Sequence, residues 1–266
     1  MLLRAALSAL PRPRPATLPA GTSSAEFAAD LEHLMAYQQV CGFRKSEILP
    51  ATYPHVLAFD LALGLMTRPD FPFPVIGLVH IGNRIEHRRR LSATDRLSMR
   101  VGVADLREHP RGRQFDLVTT AECDGEEVWR DVSTYLRREK ASTSEPREEV
   151  KTPVPQAVWR VGTTVGPAYA RVSGDHNPIH TSRLGARLFG FPRPIAHGMW
   201  SKAHCLAALE GRLPAAYTVD VAFKLPILLP ATVAFTAAGA DGGWRFGLHS
   251  AGSGRPHLAG SVDVTG

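Results

Sequence analysis

Hydrophobic and polar positions along the chain fall into two runs of short alternating segments. In the first run, Gly77–His80, Arg84–Arg90, Leu97–Val103, Gln114–Glu122 and Val128–Leu136 alternate in polarity and favour β-branched residues, the pattern of half-buried strands. In the second, Gln156–Thr163, Tyr217–Lys224, Thr232–Ala238, Trp244–His249 and Leu258–Val264 carry the same signal. Asp124-Gly125, Asp241-Gly242-Gly243 and Gly252-Ser253-Gly254 lie between strands and predict hairpins, because these residues tolerate positive φ. One helical candidate precedes each run: His55–Met66, apolar on nearly every side, and Met199–Leu209, ended by Glu210-Gly211. A helix followed by an antiparallel sheet, twice over, predicts an α+β fold in which each sheet wraps a central helix.

The two runs are related. Setting Ile85-Glu86-His87-Arg88 against Val221-Ala222-Phe223-Lys224 keeps Leu91 opposite Ile227, Leu97 opposite Val233 and Asp105 opposite the turn residue Asp241, a constant offset of 136 residues. An offset that survives a strand, a corner and the next strand points to internal duplication. Between the halves, Glu139 to Val154 is charged, rich in Ser and Thr and nearly free of apolar residues, which is linker composition. The chain thus divides into an N-terminal extension (1–25), a first domain (26–138), a linker (139–154) and a second domain (155–266), the domains being of ordinary size.

Composition narrows the function classes. With 44% hydrophobic and 21% charged side chains over 266 residues, the chain has material for two cores and is not disordered. Asp60 interrupts one apolar stretch and Lys224, Pro226 and Pro230 another, so no membrane-spanning helix is expected. The net charge of +6 comes from 31 Lys+Arg against 25 Asp+Glu. The bases form no tract longer than Arg88-Arg89-Arg90 and have no stacking aromatics among them, which argues against nucleic acid and leaves an anionic small ligand. Cys41, Cys123 and Cys205 are odd in number and far apart, the usage of a reducing compartment such as the cytoplasm. Arg4, Arg12 and Arg14 without an acid suggest a targeting peptide, but Pro11, Pro13 and Pro15 would break its amphipathic helix; the segment reads as a proline-rich extension.

The densest polar cluster is Tyr169-Ala-Arg-Val-Ser-Gly-Asp-His-Asn-Pro-Ile-His180, followed by Pro192-Arg-Pro-Ile-Ala-His-Gly-Met199. The first stretch resembles the Ser-Gly-Asp-x-Asn-Pro-hydrophobic-His motif of the MaoC-like, (R)-specific enoyl-thioester hydratase/dehydratase family. The second is similar to that family's Pro-Ile-x-His-Gly-Met segment at the start of its central helix. Motif-level similarity runs from Tyr169 to Gly211, and the two-half layout extends it to the two-domain (3R)-hydroxyacyl-thioester dehydratases of actinobacteria. The resemblance implies a double hot-dog fold and a hydro-lyase that interconverts trans-2-enoyl and (3R)-hydroxyacyl thioesters of coenzyme A or acyl-carrier protein. It further implies no metal or redox cofactor, Asp175 and His180 as the acid/base dyad, and the Gly198 amide as the group that polarises the carbonyl. The first half, lacking these motifs, would open a channel for the acyl chain.

Physical chemistry of the residues agrees with that implication. Adding water across C2–C3 of an enoyl thioester needs a base for the water, a proton source for C2 and stabilisation of the enolate oxygen at C1. Pro178 removes an amide donor and pushes Asn177 out of the helical region, so the segment turns sharply and can bring Asp175 and His180 to one water. Gly174 permits the backbone conformation that aims Asp175 inward, and Asn177 suits a side-chain bond that holds the turn. Gly198 lies at a helix start, where unpaired N–H groups suit an oxyanion and no Cβ blocks approach. His197 reads as a structural hydrogen-bonding partner. Arg88, Arg89 and Arg90 would either meet the phosphates of the thioester carrier or end a solvated strand.

Competing readings attach to several of these residues. Asp-x4-His alone is most often a surface turn. His176-x3-His180 imitates a helical zinc pair, but Pro178 lies inside the spacing and no further ligand is evident. Cys205 beside His204 reads as a buried structural thiol. Tyr53-Pro54-His55 stands where the duplicated motif is expected, without Gly-Asp-x-Asn-Pro or His-Gly-Met. Besides a hydratase, the chain fits a hot-dog thioesterase or a non-catalytic acyl-thioester-binding module, and a homodimer is compatible with any of the three.

Overall fold

The computed structural model describes residues 13–139 and 154–265. Positions 1–12, where the targeting question falls, and nearly all of the expected linker lie outside the described residues. The first half runs β1 (Thr22–Ala28), α1 (Leu31–Cys41), β2 (Ile48–Leu49), α2 (Tyr53–Leu57), α3 (Phe59–Met66), β3 (Leu78–His87), β4 (Leu91–Ser92), β5 (Arg96–His109), β6 (Gly112–Cys123) and β7 (Glu126–Arg138). The second runs β8 (Ala157–Val161), α4 (Val165–Ser173), α5 (Pro178–Thr181), α6 (Arg183–Leu188), α7 (Gly198–Ala208), β9 (Tyr217–Phe223), β10 (Ala231–Ala240), β11 (Gly243–Ser250) and β12 (Pro256–Val264).

Ten of these strands form one antiparallel sheet in the order β1-β5-β6-β7-β3-β9-β12-β11-β10-β8. Read outward from the β3/β9 seam, both halves repeat one order. At the seam Arg84 faces Asp220, two positions related by the offset of 136 residues. The offset also survives the corner: Ser92 of β4 pairs with Ile48, and Leu228, its counterpart, bridges to Ile195. It then reaches Asp105 and Asp241, both at positive φ (53° and 47°). Asp241 turns the chain from β10 into β11, whereas at Asp105 the strand bulges and continues to His109.

Four expectations are corrected. The segments 77–80 and 84–90 are one strand, β3, interrupted between His80 and Gly82 and ending before Arg88. The apolar helix His55–Met66 is two helices that meet at Ala58, with Pro54 in the first turn of α2. β1 begins inside the segment assigned to the extension and pairs along its length with β5, so the ordered first half starts before residue 26. Finally, α1 is an eleven-residue helix that strand patterning did not reveal. Its signals are local: Asp30 caps the N-terminus by accepting from the His33 amide, Gly42 closes it at φ 87°, and Leu34, Tyr37 and Cys41 bury one stripe.

α7 is buried from Met199 to Leu206 on most of its faces, as a helix wrapped by a sheet must be. Trp200 Nε1 donates to the Val40 carbonyl (3.0 Å) and His204 Nδ1 bonds to the Cys41 carbonyl (2.8 Å), so α1 of the first half packs on the central helix of the second. Cys205 is fully buried and its thiol is pushed well up by burial, which makes it a packing residue rather than a nucleophile. No helix among the described residues is long and apolar enough to cross a membrane.

Candidate active site

The hydratase-like segment is a tight sequence of caps. α4 ends at Gly174, whose φ of 74° puts it in the left-handed region that a side chain would strain. Asp175 follows, and its Oδ1 accepts from the Asn177 amide (3.1 Å). Asn177 then caps α5, its Oδ1 accepting from the Ile179 amide (3.3 Å), with Pro178 as the first helical residue. One carboxylate oxygen of Asp175 thus fixes the turn and the other, Oδ2, is left free to face His180.

Two glycines let this segment seat. A Cβ on Gly166 of α4 would stand 2.0 Å from the His180 carbonyl oxygen, and one on Gly185 of α6 would stand 2.4 Å from Pro178 Cβ. The backbone carrying His180 therefore lies against bare backbone on both sides.

His180 is 8% exposed, and its Nδ1–H donates to the Ile195 carbonyl (2.8 Å). That bond fixes the tautomer and leaves Nε2 as a lone pair, 4.0 Å from Asp175 Oδ2. This gap is too long for a direct hydrogen bond. A water about 2.8 Å from both atoms would subtend about 90° at its oxygen, an acceptable double contact. His197 stacks on His180 with ring centroids 3.7 Å apart, and its Nε2–H donates to the Asp175 carbonyl (3.0 Å). His197 accordingly holds the Asp175 backbone rather than the water. Its Nδ1 is buried without a partner among the described residues.

Burial acts in opposite senses on the three groups. It raises Asp175, but the two imidazoles and the Asn177 amide outweigh it and hold the acid below its ordinary value. Burial lowers His180, with Asp175 offsetting part of the effect, and it drives His197 down to about 3. At neutral pH the site therefore holds a carboxylate beside two neutral imidazoles. Asp175 keeps 32% of its side-chain surface, which faces the cavity it lines.

Asp175, His180 and His197 each place one donor atom within 4.8 Å of the others, close enough to suggest a metal. The donor set does not fit one. His197 Nε2 already carries a proton committed to a carbonyl, leaving one imidazole and one carboxylate, short of the ligands a zinc site uses.

The cavity holds about 1090 Å³ and is lined by both halves. Asp175, His180 and Gly198 border one part of it, and Phe59, Leu63, Met66 and Val75 of the first half border an apolar part. Gly198 is the first residue of α7, where an amide has no intrahelical acceptor, and His197 supplies no side-chain cap. A Cβ there would come within 3.1 Å of the Phe223 ring, so glycine keeps the wall open beside that amide.

Arg88, Arg89 and Arg90 are not part of this cavity. Arg88 pairs with Glu86 and Glu127, and Arg89 with Asp95, which leaves them as a charged strand end. The exposed basic residues that do line the cavity are Arg111, Arg138 and Lys224, none with an ion pair among the described residues. The counterpart of Ile195-Ala196-His197-Gly198 is Ile48-Leu49-Pro50-Ala51, upstream of Tyr53-Pro54-His55, where the sequence had suggested it.

Over 268 aligned residues the chain is 42% identical to 3-hydroxyacyl-thioester dehydratase X of Mycobacterium tuberculosis, covering 98% of this chain and 96% of that protein. This chain belongs to the MaoC-like dehydratase family. The MaoC like domain itself matches residues 117–245. The crystal structure of HtdX of Mycobacterium tuberculosis superposes on this MaoC-like chain with a TM-score of 0.84 at 39% identity, covering 92% of this chain and all (100%) of that one. Peroxisomal enoyl-CoA hydratase 2 of Arabidopsis thaliana is 28% identical over 159 residues, 53% of this chain and 52% of that protein. The double hot-dog, α+β architecture expected from the motifs is thus the fold of this chain.

Proposed function

We propose that Asp175 and His180 act as one acid/base pair and that the Gly198 amide polarises the thioester carbonyl. The protein is a hydro-lyase of fatty-acid metabolism, and its reaction is the reversible interconversion of trans-2-enoyl and (3R)-hydroxyacyl thioesters. The observation that carries the residue assignment is the opposition of Asp175 Oδ2 and His180 Nε2 across 4.0 Å in the cavity wall.

In hydration, a water between these two atoms gives its hydroxide to C3 and a proton to the pair. The pair returns one proton to C2, so it begins and ends unprotonated and the atoms balance. Negative charge that gathers on the thioester oxygen meets the N-terminal amide of α7; a donor so placed contributes about 3–4 kcal/mol to the transition state. Dehydration is the same path reversed. Water addition changes no oxidation state, so the chemistry asks for no redox cofactor, and the dyad with the amide supplies every role without a metal.

The apolar part of the cavity suits an acyl chain. Arg111, Arg138 and Lys224 take the place first given to Arg88–Arg90, meeting the phosphates of a coenzyme A or carrier-protein thioester. Three buried free cysteines suit a reducing compartment such as the cytoplasm.

The test is crotonyl-thioester hydration, followed by loss of the enoyl absorbance, in Asp175→Asn and His180→Ala. Each is expected to abolish turnover while leaving thermal unfolding cooperative. Near-normal turnover in either would overturn the dyad. Release of free thiol at the rate of enoyl loss would instead mark a thioesterase.

A further inference from the structure

The cavity carries a second polar group that hydration does not use. His55, on α2, lines it and bonds through Nδ1 to Asp131 Oδ2 at 2.8 Å. Asp131 is 1% exposed, and its Oδ1 accepts from Asn83 Nδ2 and Ser133 Oγ, both at 2.9 Å. Behind Asn83 lies Lys202 of α7, fully buried, its Nζ on the Asn83 side-chain oxygen and on the carbonyls of Asn83 (3.1 Å) and Val219 (3.2 Å). Burying a carboxylate and an ammonium is expensive, and apolar side chains of similar size would stabilise the fold at least as well.

All of this order converges on one atom. A carboxylate only accepts, so the Asp131 bond places a His55 proton on Nδ1 and turns Nε2 outward, where the single-proton tautomer presents a lone pair. That nitrogen has no hydrogen bond among the described residues. It is not among the occluded atoms either, and His55 keeps 14% of its side-chain surface. His80 stacks parallel to His55 at 6.2 Å, and its own Nε2 is buried without a partner. The acyl chain that the proposed function sends from the dyad into the first half passes Phe59, Leu63 and Met66, where the His55 nitrogen interrupts the apolar lining. A few fixed polar groups in an apolar pocket are how binding sites choose orientation and substrate.

We propose that His55, oriented by Asp131, is an acceptor site for a hydroxyl group carried on the acyl chain beyond the reacting carbons. The preferred substrates are then enoyl thioesters with a distal hydroxyl. This inference rests on the acyl-thioester reading above and adds the substrate class. A ketone at the same carbon offers no donor and is disfavoured.

The test measures kcat/KM at about pH 8, where imidazole is neutral. The substrates are a ten-carbon enoyl-CoA, its analogues with one hydroxyl stepped along the chain, and the matching ketones. Wild type is expected to prefer one hydroxyl position over the plain chain by about tenfold, the worth of one good hydrogen bond. His55→Phe keeps the ring volume and is expected to erase that preference, read against the variant's own turnover of the plain ten-carbon chain. Asp131→Asn is the sharper variant. Asn83 and Ser133 still donate to Oδ1, so the amide turns its NH2 toward His55 and moves the proton to Nε2; ketone and hydroxyl can then both accept from Nε2–H, and the preference for hydroxyl over ketone is expected to vanish. Equal kcat/KM for plain and hydroxylated chains at every position overturns the proposal, as does a preference that survives His55→Phe. Should crotonyl-CoA itself not turn over in wild type, the hydration reading fails. Calorimetric binding of saturated acyl-CoA against hydroxyacyl-CoA then still reads the His55 site alone.

Discussion

Replacing Gly166 by alanine tests whether backbone contact positions the dyad. The added Cβ would stand 2.0 Å from the His180 carbonyl oxygen, against an ordinary contact of at least 3.4 Å, so the His180 backbone must retreat by about 1.4 Å. His180 is anchored on its far side by the bond from Nδ1 to the Ile195 carbonyl, and Pro178 abuts Gly185, so the segment cannot shift as a unit without losing contacts. The displacement falls on the 4.0 Å gap that is to hold the water. Misplacement by about 1 Å costs roughly 100-fold in rate, and overpacking a tight contact costs about 1–3 kcal/mol of stability. Crotonyl-thioester hydration by Gly166→Ala should therefore fall by about 100-fold in kcat, with a modest drop in Tm. Gly162→Ala is the control: its Cβ meets nothing closer than Thr164 Oγ1 at 3.8 Å, and its rate should be near wild type. Near-normal kcat in Gly166→Ala would refute the idea that bare backbone at this contact sets the dyad.

Three further outcomes are expected. The acid limb of kcat/KM should lie below pH 6.5, because burial lowers His180 and the pair must start unprotonated; a midpoint at or above the ordinary histidine value would contradict this. Stability should fall in acid, since His80, His87 and His197 are held at about 3, 4 and 3 in the fold and return to about 6.5 when unfolded. Depressed values favour the fold above pH 6.5 and lose that support as pH falls; by pH 5 each costs about 2 kcal/mol, which denaturant titrations at pH 7 and 5 would measure. Arg111→Glu and Arg138→Glu should each raise KM for a coenzyme A thioester by about three- to tenfold with kcat little changed, and less so in high salt, whereas Arg88→Glu should leave KM unchanged.

The strands were legible because each keeps one buried face, which forces alternation. The 136-residue offset was legible because β3, its corner and β5 are repeated without insertion. β1 was not, since Thr22–Ala28 reads as polar edge sequence until β5 is there to pair with it. The hydratase segment could be read because its chemistry is local: caps, a turn and a proline within one short stretch. The basic residues of the cavity could not, because Arg111, Arg138 and Lys224 come together only when the β5–β6 hairpin, β7 and the end of β9 meet around it. Nor could the His55 network, although a sign of it was present. Along β7 the buried parity passes from Trp129 to Asp131 and Ser133, two polar residues where a core strand has no use for them.

The two halves show how duplication separates duties. In the second, Ile195-Ala196-His197-Gly198 leads directly into α7, so a free amide and a backbone-anchoring histidine arrive together beside Asp175. At the matching place in the first, Ala51 stands where Gly198 does but begins no helix, and its carbonyl accepts from Trp129 Nε1 at 2.7 Å. Helix α2 starts later, at Tyr53, and what it turns toward the shared cavity is His55. The first half has no helix start at that place, yet it keeps polar residues in its core. Asn83 and Asp131 stayed buried, tied to Lys202 of the other half across the β3/β9 seam. Helix α7 and the first half therefore share one hydrogen-bond network: the helix whose N-terminal amide is proposed to meet the carbonyl carries the buried lysine that supports the His55–Asp131 pair. Lys202→Met removes that support without touching the dyad. The Asn83 side-chain oxygen and the carbonyls of Asn83 and Val219 then lose their donor, so thermal unfolding is measured alongside activity. The variant should keep crotonyl turnover and weaken discrimination between plain and hydroxylated chains; loss of crotonyl turnover with the fold intact would instead place Lys202 in the reaction itself.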